Sequence, residues 1–302
     1  MRFHKKPGGM PGFLCLDADR LLVFCEKIAG SNPTVLNVKA WIMAVLAACF
    51  VSGCATQVDP QRIAAPGPAI TFQSNALRPA NGETVIGADA LLPGDILLST
   101  GSGLTSAGIR LITTAPVSHA ALYLGDGDVA EAVGSGVRLR KIGTMIDDEA
   151  VIVAFRHPDF QSGQGGPMRD FADRSIGRRY DYVGVMLHAP FSLQRRICEL
   201  PLLPASARAD CLRGIATIQL GSSSDERFFC SQFVLEAYKS IGLPMTDADP
   251  RWISPADILH MREGDVPSQR ANQTLVYIGH LKFRPEPVLP VRPIMLGNTA
   301  GF

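Results

Sequence analysis

The sequence predicts one α+β domain over residues 88–284, and three observations predict it. Short apolar runs separated by turn residues fill residues 91–155. Two of those runs flank "GDGD" in "VSHAALYLGDGDVAEAV", a hairpin signature. Further on the spacing turns helical, most plainly in "CSQFVLEAYKSIG". With 46% hydrophobic and 19% charged residues, a chain of 302 residues has the means for a sizeable core. A net charge of +1, with its cations scattered, gives no electrostatic footprint for nucleic acid.

The chain before this domain reads as an export signal and a spacer. In "VKAWIMAVLAACFVSGC" Lys39 supplies the positive start, and Ala40 to Val51 form an apolar stretch too short to span a bilayer. The ending "VSGC" is similar to the bacterial lipobox. That likeness implies that Cys54 becomes an acylated mature N-terminus, anchored to a membrane. Ala55, in place of Asp, resembles the sorting pattern of outer-membrane lipoproteins. A plainer reading makes the stretch a buried helix that ends in Gly-Cys. Residues 1–37 precede the signal and imply that translation starts near Val38 or Met43. Residues 55–87, rich in Pro, Ala, Gly and Asn, read as a flexible tether.

Within the domain, "LLPGDILLST" reads as a turn and strand, the hairpin follows, and "AVIVAF" (150–155) is a buried strand. "MRDFADRSIG" reads as a helix stopped at Gly177, and "CSQFVLEAYKSIG" as a stronger one stopped at Gly242. "WISPADILHM" opens a helix with Ser254 as N-cap, Pro255 in the first turn and Asp257 three residues after the cap. "LVYIGHLKF" closes the domain as a strand, and residues 285–302 form a Pro-rich tail.

Three polar residues stand out against apolar surroundings. Cys230 sits where a helix begins, at the positive end of its dipole and beside unpaired N–H groups, which favours thiolate. His119 lies in the first strand of the hairpin and Glu131 in the second. Nucleophilic thiol chemistry needs a base and a group to orient it. A hydrogen-bonded imidazole and carboxylate would also relieve the cost of burying each. Each residue has a plainer reading as well: an inert core thiol, a structural strand histidine, a carboxylate facing solvent. A hairpin sets 119 and 131 on one face only if an odd number of residues loops between paired positions, and even then a bulge or strong twist must bring them together. His4, His157, His188, His260 and His280 show no metal-ligand spacing, and His260 and His280 read as structural.

In order, "LLPGDILLST", "VSHAALYLG", "VAEAVGSGV", "RRYDYVGV", "FFCSQFV" and "WISPADILHMREGDV" resemble the permuted papain-like amidases of the YaeF/YiiX group, a branch of the NlpC-type cysteine peptidase superfamily. The resemblance covers residues 45–284. It implies a circularly permuted papain-like fold, with an antiparallel sheet packed against helices and the thiol-bearing helix after the strands. It also implies Cys230 as nucleophile, His119 as general base, Glu131 as the group orienting the imidazole, and Tyr180 as support for the oxyanion. No cofactor or metal is implied.

An exported protein meets an oxidising compartment, where Cys198 and Cys211 would form a disulfide worth about 3 kcal/mol. The expected protein is therefore a periplasm-facing, lipid-anchored cysteine hydrolase of the outer membrane that cuts a peptide-like bond. Two alternatives stand beside it. One is a lipid-directed acyl hydrolase or acyltransferase whose "PFSLQRRICELPLL" insertion rests on headgroups or serves as a lid. The other is a catalytically silent binding lipoprotein.

Overall fold

The computed structural model describes residues 56–59, 69–74, 84–101, 106, 115–181, 191–192, 194–195, 197–199, 205–220 and 227–283. Cys54, the export signal and the Pro-rich tail lie outside the described residues.

A six-stranded antiparallel sheet, in the order β10-β7-β3-β4-β5-β6, organises the domain. Its strands are β3 (Ile96–Gly101), β4 (His119–Gly125), β5 (Asp128–Val133), β6 (Gly136–Lys141), β7 (Glu149–Arg156) and β10 (Val276–Phe283). Alternation along the strands separates two cores. Ala120, Leu122, Leu124, Ala130 and Ala132 face the larger one, while Ala121, Tyr123 and Val129 face the smaller. Over the larger core lie α2 (Gly165–Ser175), α4 (Cys230–Ser240) and the short α5 (Pro255–His260). The smaller core is covered by α1 (Ile142–Asp148), through Ile142 and Met145. Phe233, Val234, Ala237 and Tyr238 of α4 are buried against the sheet, each large apolar side chain contributing about 1.5–3 kcal/mol.

The predicted punctuation is present. Gly177 and Gly242 follow α2 and α4 at positive φ, and Ser254 and Asp257 exchange a capping box at α5. In "LLPGD" the glycine is forced, because a Cβ at Gly94 would come within 2.6 Å of the Phe160 ring. The next residue, buried Asp95, takes a two-point ion pair from Arg156, with Nε–Oδ1 at 2.6 Å and Nη2–Oδ2 at 2.7 Å. Its Oδ2 also accepts the Leu92 N–H at 2.8 Å, which fixes the turn entering β3.

Three stretches depart from the sequence reading. Part of the expected tether is structured: β1 (Thr56–Asp59) pairs with β2 (Ala69–Phe72). Gln73 donates to Ser268 at 2.9 Å, and the Ser74 N–H donates to Asp265 at 2.9 Å. Residues 84–86 exchange backbone hydrogen bonds with His280 of β10. These partners lie nearly two hundred residues away, so no local pattern discloses them. The short β6 and α1 were not foreseen either. Third, α3 (Ala205–Leu220), for which no helix was read, follows the insertion assigned to headgroups or a lid.

That insertion is fastened inward. Residues 191–192, 194–195 and 197–198 are helical, and Cys198 is bonded to Cys211 on α3 with Cα atoms 5.5 Å apart. Arg195, one of the basic residues assigned to lipid headgroups, is buried. It donates from Nε to Glu199 at 2.9 Å and from Nη1 to Asp257 at 2.8 Å. Its charge is committed to the protein interior. Among the described residues, no helix is long and apolar enough to cross a membrane.

Candidate active site

The site forms where the start of β4, the middle of β5 and the start of α4 converge. A bulge makes this possible. Near the turn Gly125 pairs with Asp128, whereas further along Tyr123 pairs with Val129 and Leu122 with Ala130. Five residues therefore loop between Tyr123 and Val129, an odd number. Continued along the strands, this register sets Ala121 opposite Glu131, with His119 two residues on and on the same face. Without the extra residue Leu122 would oppose Glu131, and the carboxylate would point to the other side of the sheet. Diagonal neighbours of this kind lie about 7–8 Å apart at the backbone, within reach of long side chains. The imidazole Nε2 and Glu131 Oε2 meet at 2.8 Å.

The other ring nitrogen, Nδ1, is left for the thiol, and His119 and Cys230 are hydrogen-bonded through their side chains. Cys230 is the first residue of α4. Its N-cap, Phe229, brings no side-chain acceptor to the helix start, so the first-turn N–H groups stay available to the sulfur. The sulfur receives backbone N–H groups from Ser231, beside it on α4, and from Ala120 on β4.

The electrostatics follow from these contacts. Burial opposes charge on all three groups. For His119 the hydrogen bonds to Cys230 and Glu131 outweigh burial and raise the imidazole pKa to about 10. For Glu131 burial pushes upward, but His119, Arg140 and Arg138 prevail and bring it down to about 2. Burial pushes the Cys230 thiol up, while His119 and the two backbone donors pull it below the ordinary thiol value. These contacts thus favour the charged forms in a row: thiolate, imidazolium and carboxylate. Cys230 is buried, and the His119 side chain keeps 17% of its surface open, leaving an approach to the pair.

Tyr180 sits close by in sequence register. The parallel pair β8 (Arg179–Tyr180) and β9 (Arg227–Phe228) sets it opposite Phe228, two residues before the thiol. His260 is paired with Asp265 at 2.8 Å, and His280 with the Tyr277 hydroxyl at 2.5 Å. Among the described residues no group of His, Cys, Asp and Glu is arranged to hold a metal ion.

Two site residues escaped the sequence reading. Arg138 lies directly opposite Glu131 in the β5–β6 register, and its Nε and Nη2 donate to Glu131 Oε1 at 3.0 and 2.9 Å. The Arg140 Nε stands 3.0 Å from the same oxygen as an ion pair, off the angle for a hydrogen bond. The available signal was the alternation in "GVRLRK", which puts two arginines on one face of the strand following Glu131.

No protein-family model matches the chain. A solved structure of the metalloprotein YiiX from Escherichia coli O157:H7 is similar at a TM-score of 0.36 and 18% identity, over 61% of this chain and 94% of that one, too loose a likeness to argue from. Sequence similarity is much stronger to the probable lipoprotein peptidase YaeF of Escherichia coli K12, at 37% identity over 245 residues, 79% of this chain and 89% of that protein. Identity at that level across most of both chains makes this protein a member of the YaeF family.

Proposed function

We propose that the protein is a cell-envelope cysteine hydrolase that cleaves a peptide-like bond through Cys230, His119 and Glu131 on a permuted papain-like fold. The observation that carries this reading is the imidazole of His119, hydrogen-bonded on one side to Cys230 and on the other to Glu131. Its relative YaeF, a probable lipoprotein peptidase, supports the same class.

In this mechanism the Cys230 thiolate attacks the substrate carbonyl and an S–C bond forms. The oxyanion is met by first-turn N–H groups of α4, with Tyr180 beside them. The C–N bond breaks as His119 Nδ1–H passes its proton to the departing amine, leaving an acyl-enzyme. Water then gives a proton to Nδ1 and its oxygen to the acyl carbon, releasing acid and restoring the thiol pair. Glu131 remains ionised throughout and fixes the ring by accepting from Nε2. Acylation at Cys54 would hold the domain at the periplasmic face of the outer membrane, near envelope substrates.

The peptidase reading is preferred to the lipid-directed one because Arg195 is turned inward to Asp257 and Glu199 instead of toward headgroups. Purified protein incubated with peptidoglycan-derived peptides, and separately with phospholipid vesicles, is analysed for adducts on the Cys230 peptide by mass spectrometry. A peptidyl adduct that vanishes in Cys230→Ser is the expected result. A fatty-acyl adduct would move the assignment to acyl transfer. No adduct, combined with ordinary thiol reactivity, would leave a binding lipoprotein.

A further inference from the structure

We propose that Arg138 and Arg140 are positioning residues of the thiol site: they anchor Glu131 Oε1 so that Oε2 is presented to His119, and Arg140 is the principal anchor. The proposal rests on the Cys230–His119–Glu131 reading and deepens it.

The division of the carboxylate is the first observation. Oε2 meets only the imidazole among the contacts described, at 2.8 Å, whereas both arginines converge on Oε1 at 2.9–3.0 Å. A carboxylate gripped at one oxygen cannot rotate about its terminal bond without breaking the grip. Rotation would also take the acceptor from His119 Nε2, and with it the ring orientation that points Nδ1 at the sulfur.

Burial is the second observation, and it separates the two arginines. The Glu131 side chain has no solvent exposure, so its charge needs a partner within the protein. Arg138 is 49% exposed and partly screened by water, whereas Arg140 is only 10% exposed. Arg140 is itself held from behind, with Nη2 at 3.3 Å from Glu149 and Nη1 at 3.5 Å from Asp148. A chain of alternating charge therefore runs from His119 through Glu131 and Arg140 to the junction of α1 and β7.

Among the described residues, the charged groups facing Glu131 are His119 on β4, with Cys230 of α4 behind it, and Arg138 and Arg140 on β6, with Asp148 and Glu149 behind Arg140. Asp128, at the other end of β5, is occupied by Lys141 and Arg169. Removing the Arg140 charge destabilises thiolate in two ways, by loosening the carboxylate that supports the imidazolium and by withdrawing positive potential from the cluster. Both raise the pH at which Cys230 ionises.

The test needs no substrate. Full-length protein is alkylated with iodoacetamide between pH 4 and 9, and modification of the Cys230 peptide is followed by mass spectrometry. The wild type should show a thiolate plateau beginning below the range of a free thiol. Arg140→Gln should shift that onset upward by about one pH unit, a roughly tenfold loss of reactivity on the acid limb. Arg140→Lys, which keeps the charge and loses the fork, should show an intermediate shift, and half-exposed Arg138→Gln a smaller one. Should Arg140→Gln not fold, as judged by circular dichroism, Arg140→Lys carries the test. A wild-type curve in a folded Arg140 variant overturns the positioning role while leaving the thiol site intact. A wild-type onset at the free-thiol value overturns both.

Discussion

Arg195→Met is the perturbation whose consequence the structure sets most clearly. The guanidinium is buried between Asp257, reached by two nitrogens, and Glu199. Replacing it with an apolar side chain of similar length leaves both carboxylates without their cation. Removing one partner of a buried pair costs about 3–5 kcal/mol, since the remaining charge stays desolvated. For a domain of this size each kcal/mol lowers Tm by about 2–4 °C, so the variant should melt roughly 6–20 °C below wild type. Asp257→Asn should cost a similar amount, and the double variant much less than the sum, because the two share one interaction. The sign with pH is fixed too. Burial raises the Asp257 carboxyl, but Arg195 and Ser254 hold it far below its unfolded value of 3.8. Its contribution is therefore present above that value and fades as pH falls below it. Thermal melts at neutral pH on the two single variants and the double decide the matter. Single variants within 2 °C of wild type, or strictly additive losses, would refute the claim that this pair fastens the insertion.

The remaining predictions concern the same insertion and the hairpin beside the site. Replacing Cys198 and Cys211 together with serine should lower unfolding free energy by about 3 kcal/mol in urea titrations, and in the wild type the Cys198 and Cys211 peptides should stay unalkylated until reductant is added. Gly136→Ala, at φ +111° with a Cβ that would stand 2.6 Å from the Arg178 carbonyl oxygen, should cost about 1–3 kcal/mol and be visible as a lowered Tm.

The candidate site was legible where chemistry conflicted with surroundings. Cys230, His119 and Glu131 each interrupt an apolar stretch, and a buried polar group needs a partner. Arg138 and Arg140 were not, because arginines alternating along a strand look like a solvated face until a carboxylate is known to lie opposite. Helices α2 and α4 carried their own stop residues, Gly177 and Gly242, and α5 its own start, in Ser254, Pro255 and Asp257. By contrast, α3 has no clean apolar stripe, and its attachment depends on a disulfide and on packing of Phe191, Ala216 and Trp252. The attachments of residues 73–74 and 84–86 likewise depend on groups supplied from residues 265–280, which no window of sequence contains.

The bulge beside Gly125 has a consequence for how this protein can vary. Since it decides which side of the sheet the acid occupies, the β4–β5 turn tolerates length changes only in steps of two. A single-residue deletion there, though it removes nothing from the thiol site, would turn Glu131 toward the α4 packing layer and strand His119 without its acceptor. Natural or engineered insertions in this turn should therefore come in pairs, a rule that comparison of loop lengths across functional variants can check.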